Sequence, residues 1–221
     1  MKDIDWIFFD VGGVIVDEEP FQIYFVEQVK MMLGKHGIKI SADDFWRSFY
    51  EASARPKGLV YRGTLDILIP ASVANKEELI DSGVALMKER PFKLTDVRPQ
   101  LLEVSHELSK KYKLGIMANQ PQENQKWIDE SGILKYFTHT HMSHHYKLYK
   151  PDSAFYKTIL DEVCTSTERS VNIDDNIERG LRAAKEIGIH TVWYKTRERE
   201  NPPLQYVDAT ITSLKDLLDI F

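Results

Sequence analysis

The strongest constraint on this chain is a set of short, β-favouring apolar runs that stop abruptly at polar residues. Residues 4–9, Ile-Asp-Trp-Ile-Phe-Phe, end at Asp10, with Gly12-Gly13 just beyond. Leu114 to Met117 ends at Ala118-Asn119, and Val171-Asn172-Ile173 ends at Asp174-Asp175. Thr191 to Tyr194 is a fourth run, and 138–142 and 209–212 are weaker ones. Short apolar runs bounded by turn residues read as buried strands. Helical patterns separate them: Pro99 to Tyr112, with Leu101, Leu102, Val104, Leu108 and Tyr112 at mostly helical spacing, and then 122–131, 152–163 and 177–187. Strands alternating with helices in this way predict an α/β protein, a Rossmann-like, doubly wound parallel sheet.

One segment interrupts the alternation. Residues 18–94 hold no convincing strand but several helical stretches. Phe21 to Leu33 places Phe21, Tyr24, Phe25, Val29 and Met32 on one side. Ser41-Ala42-Asp43-Asp44 opens a second helix through Phe45, Trp46 and Phe49, and Glu77 to Glu89 reads as a third. The expected organisation is a core of 1–17 and 95–221 with a small all-helical cap, 18–94, inserted after the first strand.

Composition narrows the function classes. A chain of 221 residues is long enough for a full core and a second, smaller unit. A net charge of −5 disfavours a protein built to grip nucleic acid, which must neutralise phosphates. Cys164 is the only cysteine, so no intrachain disulfide forms and a thiolate metal cluster is not expected. No apolar run approaches the ~20 residues of a membrane span, and Met1-Lys2-Asp3-Ile4-Asp5 carries no signal-peptide apolar stretch. The expectation is a cytoplasmic protein with a small-molecule substrate and neither a nucleic-acid nor a membrane partner. Oligomeric state is not legible.

The chemistry is expected at the strand ends, because open α/β sheets bind ligands beyond the carboxyl ends of their strands. Asp10 sits where N–H groups of a glycine turn can surround a second anion, which suits a nucleophilic carboxylate. The alternative is a turn aspartate that caps the next segment. A dinucleotide site fits poorly, since the third glycine is missing and Asp10 would repel a pyrophosphate. The adjacent pair Asp174-Asp175 is costly to bury without a cation or hydrogen bonds, and with Asp10 it supplies the hard oxygen ligands that Mg²⁺ prefers. A helix N-cap would explain one of these acids better than both. Lys150-Pro151-Asp152 reads as a helix start with Pro151 at its first position, leaving Lys150 pointed over the sheet, or else as an ordinary solvated lysine.

Taken together, these residues resemble the haloacid dehalogenase superfamily. Phe9-Asp10-Val11-Gly12-Gly13-Val14-Ile15-Val16-Asp17 resembles its first motif, Met117-Ala118-Asn119 its second, Lys150-Pro151-Asp152 its third and Ile173-Asp174-Asp175-Asn176 its fourth. The helical insertion is similar to the cap of the subgroup that contains β-phosphoglucomutase, the 2-haloacid dehalogenases and glucose-1-phosphate phosphatases. The resemblance implies a phosphatase of small phosphate monoesters, with Asp10 forming an aspartyl intermediate. It implies that Asp10, the Gly12 carbonyl and Asp175 bind Mg²⁺, with Asp174 in or next to the ligand set. Gly12, Gly13, Ala118, Asn119 and Lys150 would hold the phosphate, and Lys150 would balance the carboxylates.

Two positions depart from the family pattern. Family phosphatases usually carry a general-acid aspartate two residues after the nucleophile, and here that residue is Gly12. Such help is typically worth about 10²–10⁴-fold, so a slower enzyme is expected. Ala118 stands where the family usually has Ser or Thr, which removes one hydroxyl contact to phosphate. Gly12 also admits a metal-independent 2-haloacid dehalogenase, and the two departures together admit a non-catalytic binding protein on the same scaffold. In the helical segment, Arg55-Pro56-Lys57-Gly58 and Arg62-Gly63-Thr64 read as loops between helices, with Arg62 a candidate substrate contact. His139, His141, His144 and His145 form a cluster that admits a transition-metal site, since imidazole suits Zn²⁺ or Ni²⁺, but they lie on a weak strand and its loop with no Cys or acidic residue near them in sequence, which argues against it.

Overall fold

A computed structural model describes residues 3–55, 59–89, 96–199 and 201–221. The chain divides into two compact units, one made of Met1–Asp17 with Phe92–Phe221 and the other of Glu18–Pro91.

In the larger unit, five parallel strands form one sheet: β1 (Trp6–Phe9), β2 (Lys113–Ile116), β3 (Ser170–Asp174), β4 (His190–Tyr194) and β5 (Ala209–Ile211), in the order β2-β1-β3-β4-β5. Side chains of a strand alternate between faces, so a strand apolar throughout must be covered on both sides. β1 shows this directly. Ile7 and Phe9 join a core with Leu101, Val104 and Leu108 of α5 (Leu101–Ser109), Ile128 of α6 (Gln122–Ser131) and Leu217 of α10 (Leu217–Ile220). Trp6 and Phe8 join a second core with Phe155, Tyr156 and Ile159 of α8 (Ser153–Glu162) and with Ala183 and Ala184 of α9 (Arg182–Glu186). Each large apolar side chain buried in this way contributes about 1.5–3 kcal/mol, which fixes β1 in the middle of three layers. Register places Phe9 beside Ile116 on one side and Ile173 on the other, so the ends of β1, β2 and β3 lie next to one another.

The weak candidate at 209–212 is β5. The one at 138–142 is not a strand: only His139 bridges, in parallel, to Gly115. The segment 177–187 is not one regular helix either, because Ile177–Leu181 is a π turn and α9 follows it. Asp152, not Pro151, begins α8. Its carboxylate accepts from the Ala154 N–H at 2.9 Å as the N-cap, and Pro151 precedes the helix.

Among the described residues the smaller unit has four α-helices: α1 (Glu19–Gly34), α2 (Ala42–Ser53), α3 (Val60–Leu68) and α4 (Lys76–Ala85). Phe25, Val29 and Leu33 of α1 pack with Phe45, Leu65, Leu79 and Ile80 in its own core. Ser41 and Asp44 form a reciprocal capping box on α2, at 3.0 and 2.9 Å. The loop reading of Arg62-Gly63-Thr64 is corrected: these residues lie within α3. Packing overrides the local glycine signal, because Gly63 lets Ala52 of α2 come close, with only 3.0 Å from a Cβ built at that glycine to the Ala52 Cβ. Residues 56–58 of the neighbouring expected loop, and the expected boundary at 94, lie outside the described residues.

Candidate active site

Asp10 leaves the end of β1, and its N–H donates to the Ile173 carbonyl on β3 at 2.9 Å. The chain then folds tightly back, with the N–H groups of Ile15 and Val16 both donating to the Val11 carbonyl at 3.0 and 2.8 Å. The left-handed position in this turn is Gly13, at φ 73°. A Cβ at Gly13 would stand 2.4 Å from Oδ2 of Asp175, so the bare glycine is what lets that carboxylate settle against the turn. Arg98 holds the turn from behind. Its guanidinium donates to the Gly13 carbonyl from Nε at 3.2 Å and Nη2 at 2.8 Å, and lies 4.5 Å over the Tyr194 ring.

The fourth motif arrives on β3. Asp174 is buried, and its Oδ1 accepts from the Asn176 N–H at 2.9 Å. A Cβ at Gly180 would come within 2.0 Å of Oδ2 of Asp174. The widened π turn and its glycine therefore make room for that carboxylate, consistent with the tendency of π turns to mark functional sites. The hydroxyl of Tyr156 donates to the Gly180 carbonyl at 2.7 Å and fastens the turn to α8.

Lys150 joins the two strand ends. Its buried ammonium donates to Oδ1 of Asp10 at 2.9 Å and to Oδ2 of Asp174. Its backbone is clamped, since the Lys150 N–H donates to Oδ1 of Asn119 at 2.8 Å and the Lys150 carbonyl accepts from Nδ2 of Asn119 at 3.1 Å and Nη1 of Arg179 at 2.8 Å. The Asn119 amide is thus occupied in placing Lys150. Ala118 is buried, and its carbonyl accepts from the Ser143 N–H at 3.1 Å. No sequence pattern singles out Arg179, Arg98 or Ser143. A stretch rich in buried carboxylates and glycines is the only local hint that such partners are needed.

Oxygens of Asp10, Asp174 and Asp175 lie within 4.8 Å of one another. The Lys150 ammonium lies between two of these carboxylates, Asp10 and Asp174. Burial pushes the Asp10 carboxyl up, Lys150 opposes this and Asp174 adds to it, leaving it at about 7. Burial acts to lower the Lys150 ammonium, but Asp10 and Asp174 outweigh it and hold it raised, hence protonated. Three carboxylates this close are an all-oxygen donor set of the kind that suits the hard cation Mg²⁺. Arg62 lies in the helical unit, donating to Asp81 at 2.5 Å and Glu77 at 2.6 Å.

The family model described as haloacid dehalogenase-like hydrolase matches residues 7–194, spanning all four motifs. The chain belongs to this family of hydrolases. A glyceraldehyde 3-phosphate phosphatase of Methanocaldococcus jannaschii is 26% identical, over 98% of this chain and 96% of its own. A phosphorylated carbohydrates phosphatase of Thermotoga maritima is 28% identical, over 85% of this chain and 83% of its own. Among solved structures, the HAD-hydrolase YfnB from Bacillus subtilis, bound to magnesium, superposes with a TM-score of 0.68 at 18% identity, covering 99% of both chains. That likeness is one of fold.

Proposed function

We propose that this haloacid dehalogenase-like hydrolase is a magnesium-dependent phosphatase of small phosphate monoesters, acting through an aspartyl-phosphate on Asp10. The observation that carries the proposal is the buried Lys150 ammonium bridging Asp10 and Asp174, with Asp175 completing a trio of carboxylates. Asp10, Asp175 and the Gly12 carbonyl are the groups assigned to hold Mg²⁺, with Asp174 beside them. When bound, the ion would neutralise charge around the phosphoryl group and polarise it toward attack. The chain's own groups do the rest. Lys150 favours the ionised form of the Asp10 carboxylate against the effect of burial and aims it, and its positive charge also attracts the incoming phosphate. Attack by the Asp10 carboxylate on phosphorus breaks the ester P–O bond and releases the alcohol. Gly12 supplies no proton to that alcohol, so water has to. A second water then attacks phosphorus, releasing inorganic phosphate and restoring Asp10.

The two phosphatase relatives support assaying phosphorylated carbohydrates first, glyceraldehyde 3-phosphate among them. The point of insertion, directly behind the Asp10 strand, supports reading the helical unit as a cap, and Arg62 remains its candidate substrate contact. No described helix is long and apolar enough to cross a membrane. With the lone cysteine, that supports a cytoplasmic setting. The deciding experiment measures phosphate release from a panel of esters with Mg²⁺ and with chelator, in the wild type and in Asp10→Asn. Release should require Mg²⁺ and vanish in Asp10→Asn, whose amide is a poor nucleophile. Full activity in that variant would overturn the assignment. Chloride release from 2-chloropropionate in chelator would establish the dehalogenase reading instead.

A further inference from the structure

The histidine cluster acquires in three dimensions the acidic partner it lacks in sequence. Glu162, at the end of α8, reaches His141 and His139: Oε1 lies 3.0 Å from Nδ1 of His141 and Oε2 lies 3.6 Å from Nε2 of His139. All three groups can offer donor atoms within 4.8 Å of one another. They share no residue with the carboxylate site. We propose that His139, His141 and Glu162 form a binding site for one divalent transition-metal ion, of the kind that Zn²⁺ typifies.

The donor set and its geometry carry this. Two imidazole nitrogens and one carboxylate are a recurrent zinc set, with bonds of about 2.0–2.2 Å and tetrahedral angles. Such bonds place neighbouring donors roughly 3.3 Å apart. One donor atom from each of the three residues already lies within 4.8 Å of the others, so modest side-chain adjustment reaches that spacing. Nitrogen donors select transition metals over Mg²⁺, so the two sites differ in what they take.

The scaffold is also stiff where it matters. His139 continues the sheet edge, its N–H donating to the Leu114 carbonyl at 3.3 Å and its carbonyl accepting from the Ile116 N–H at 3.0 Å. Its buried ring meets Phe8 edge-on. Two residues further along this extended segment, His141 brings its ring toward the same carboxylate, as the two-residue repeat of extended chain allows. Tyr146 stacks nearly parallel to His139; its hydroxyl donates to Glu162, the type of second contact that orients a ligating carboxylate, and lies 2.8 Å from Nε2 of His139, a contact that an ion on that nitrogen would replace. His141 and Glu162 are partly exposed, which leaves an entry path for an ion.

The same segment supports the strand ends. Ser143 follows within two residues of His141, its N–H bonded to the Ala118 carbonyl at 3.1 Å and its Oγ accepting from the Gln120 N–H at 3.1 Å. An ion at His139 and His141 would therefore brace the backbone that carries Ala118 and Asn119. The residues without an ion already form a hydrogen-bonded network, and that network alone is the competing account.

The test titrates the full chain with Zn²⁺ alone and follows the imidazole nitrogens by NMR. One equivalent should shift Nε2 of His139 and Nδ1 of His141 in a saturable 1:1 manner, while millimolar Mg²⁺ leaves them in place. The carboxylate site contains no histidine, so these signals report only this site. Calorimetric Zn²⁺ affinity at the site should fall at least tenfold in His141→Ala and in Glu162→Gln, and persist in Asp10→Asn. His141 is half exposed, so its truncation opens no core and decides the matter even if Glu162→Gln folds poorly. Imidazole signals unmoved by one equivalent of Zn²⁺, or affinity unchanged in folded His141→Ala, would overturn the proposal and leave the network as a structural tie.

Discussion

Gly13→Ala isolates the most specific demand the structure makes on the nucleophile turn. The position has φ 73°, so an L-residue there costs about 1–2 kcal/mol in backbone strain. For a chain of this size that corresponds to a Tm decrease of roughly 2–8 °C. The larger effect is local. The new Cβ would lie 2.4 Å from Oδ2 and 2.5 Å from Cγ of Asp175. Ordinary contact between such atoms is about 3.5 Å, so the carboxylate has to retreat by about 1 Å. A misplacement of that size at a catalytic constellation costs on the order of 10²-fold. The assay is the Mg²⁺ activation curve of phosphate release, run beside thermal unfolding. Gly132→Ala is the control, because Gly132 has φ 68° and nothing within 4 Å of a built Cβ. It should lose comparable stability while keeping its activation curve. If folded Gly13→Ala shows wild-type Mg²⁺ dependence and turnover, the close packing of Asp175 on the turn does not govern the metal site, and the reasoning fails.

Gly12→Asp should raise turnover on sugar phosphates, whose alkoxides need a proton, by up to about 10²-fold, and change p-nitrophenyl phosphate little; equal responses of the two substrates in a folded variant would show that a missing acid is not limiting. Lys150→Met should abolish phosphate release. It should also destabilise the metal-free protein, by about 3–5 kcal/mol as for other broken buried pairs, with Mg²⁺ recovering part of the loss, and urea unfolding with and without Mg²⁺ reads both quantities. Burial raises the Asp10 carboxyl to about 7, so between its ordinary value and about 7 the folded metal-free chain holds a proton that the unfolded chain has released. Its contribution to stability therefore falls as pH rises through that window. The Tm of wild type relative to Asp10→Asn in chelator should decline from about pH 4 to 7, and a flat difference would contradict the raised value.

Much of the core was legible because its information is local. A strand buried on both faces has to be apolar throughout, and the polar residue that ends it marks the sheet edge where ligands bind. Asp10, Asn119 and Asp174 could therefore be placed at strand ends from their flanking residues. The helix of Arg62 was not legible: Gly63 signals a break, and only the approach of Ala52 explains why a glycine serves inside α3. The π turn at 177–181 was equally hidden. Its pattern is helical, and the need for a wider turn comes from the Asp174 carboxylate lying against Gly180.

The sequence by itself determined the alternation of strands and helices, the insertion of a helical unit behind the first strand and the residue types that reach the strand ends. Periodicity, turn chemistry and abrupt changes of polarity encode these over a few neighbouring residues. Partnership was decided only by the tertiary structure. The Asn119 amide holds the Lys150 backbone across 31 residues, and Lys150 reaches Asp10 across 140. Glu162 meets His141 across 21. Such contacts depend on how the sheet orders its strands and on which helix covers which face. Those choices are made by the burial of the whole core, and no short window of the chain contains them.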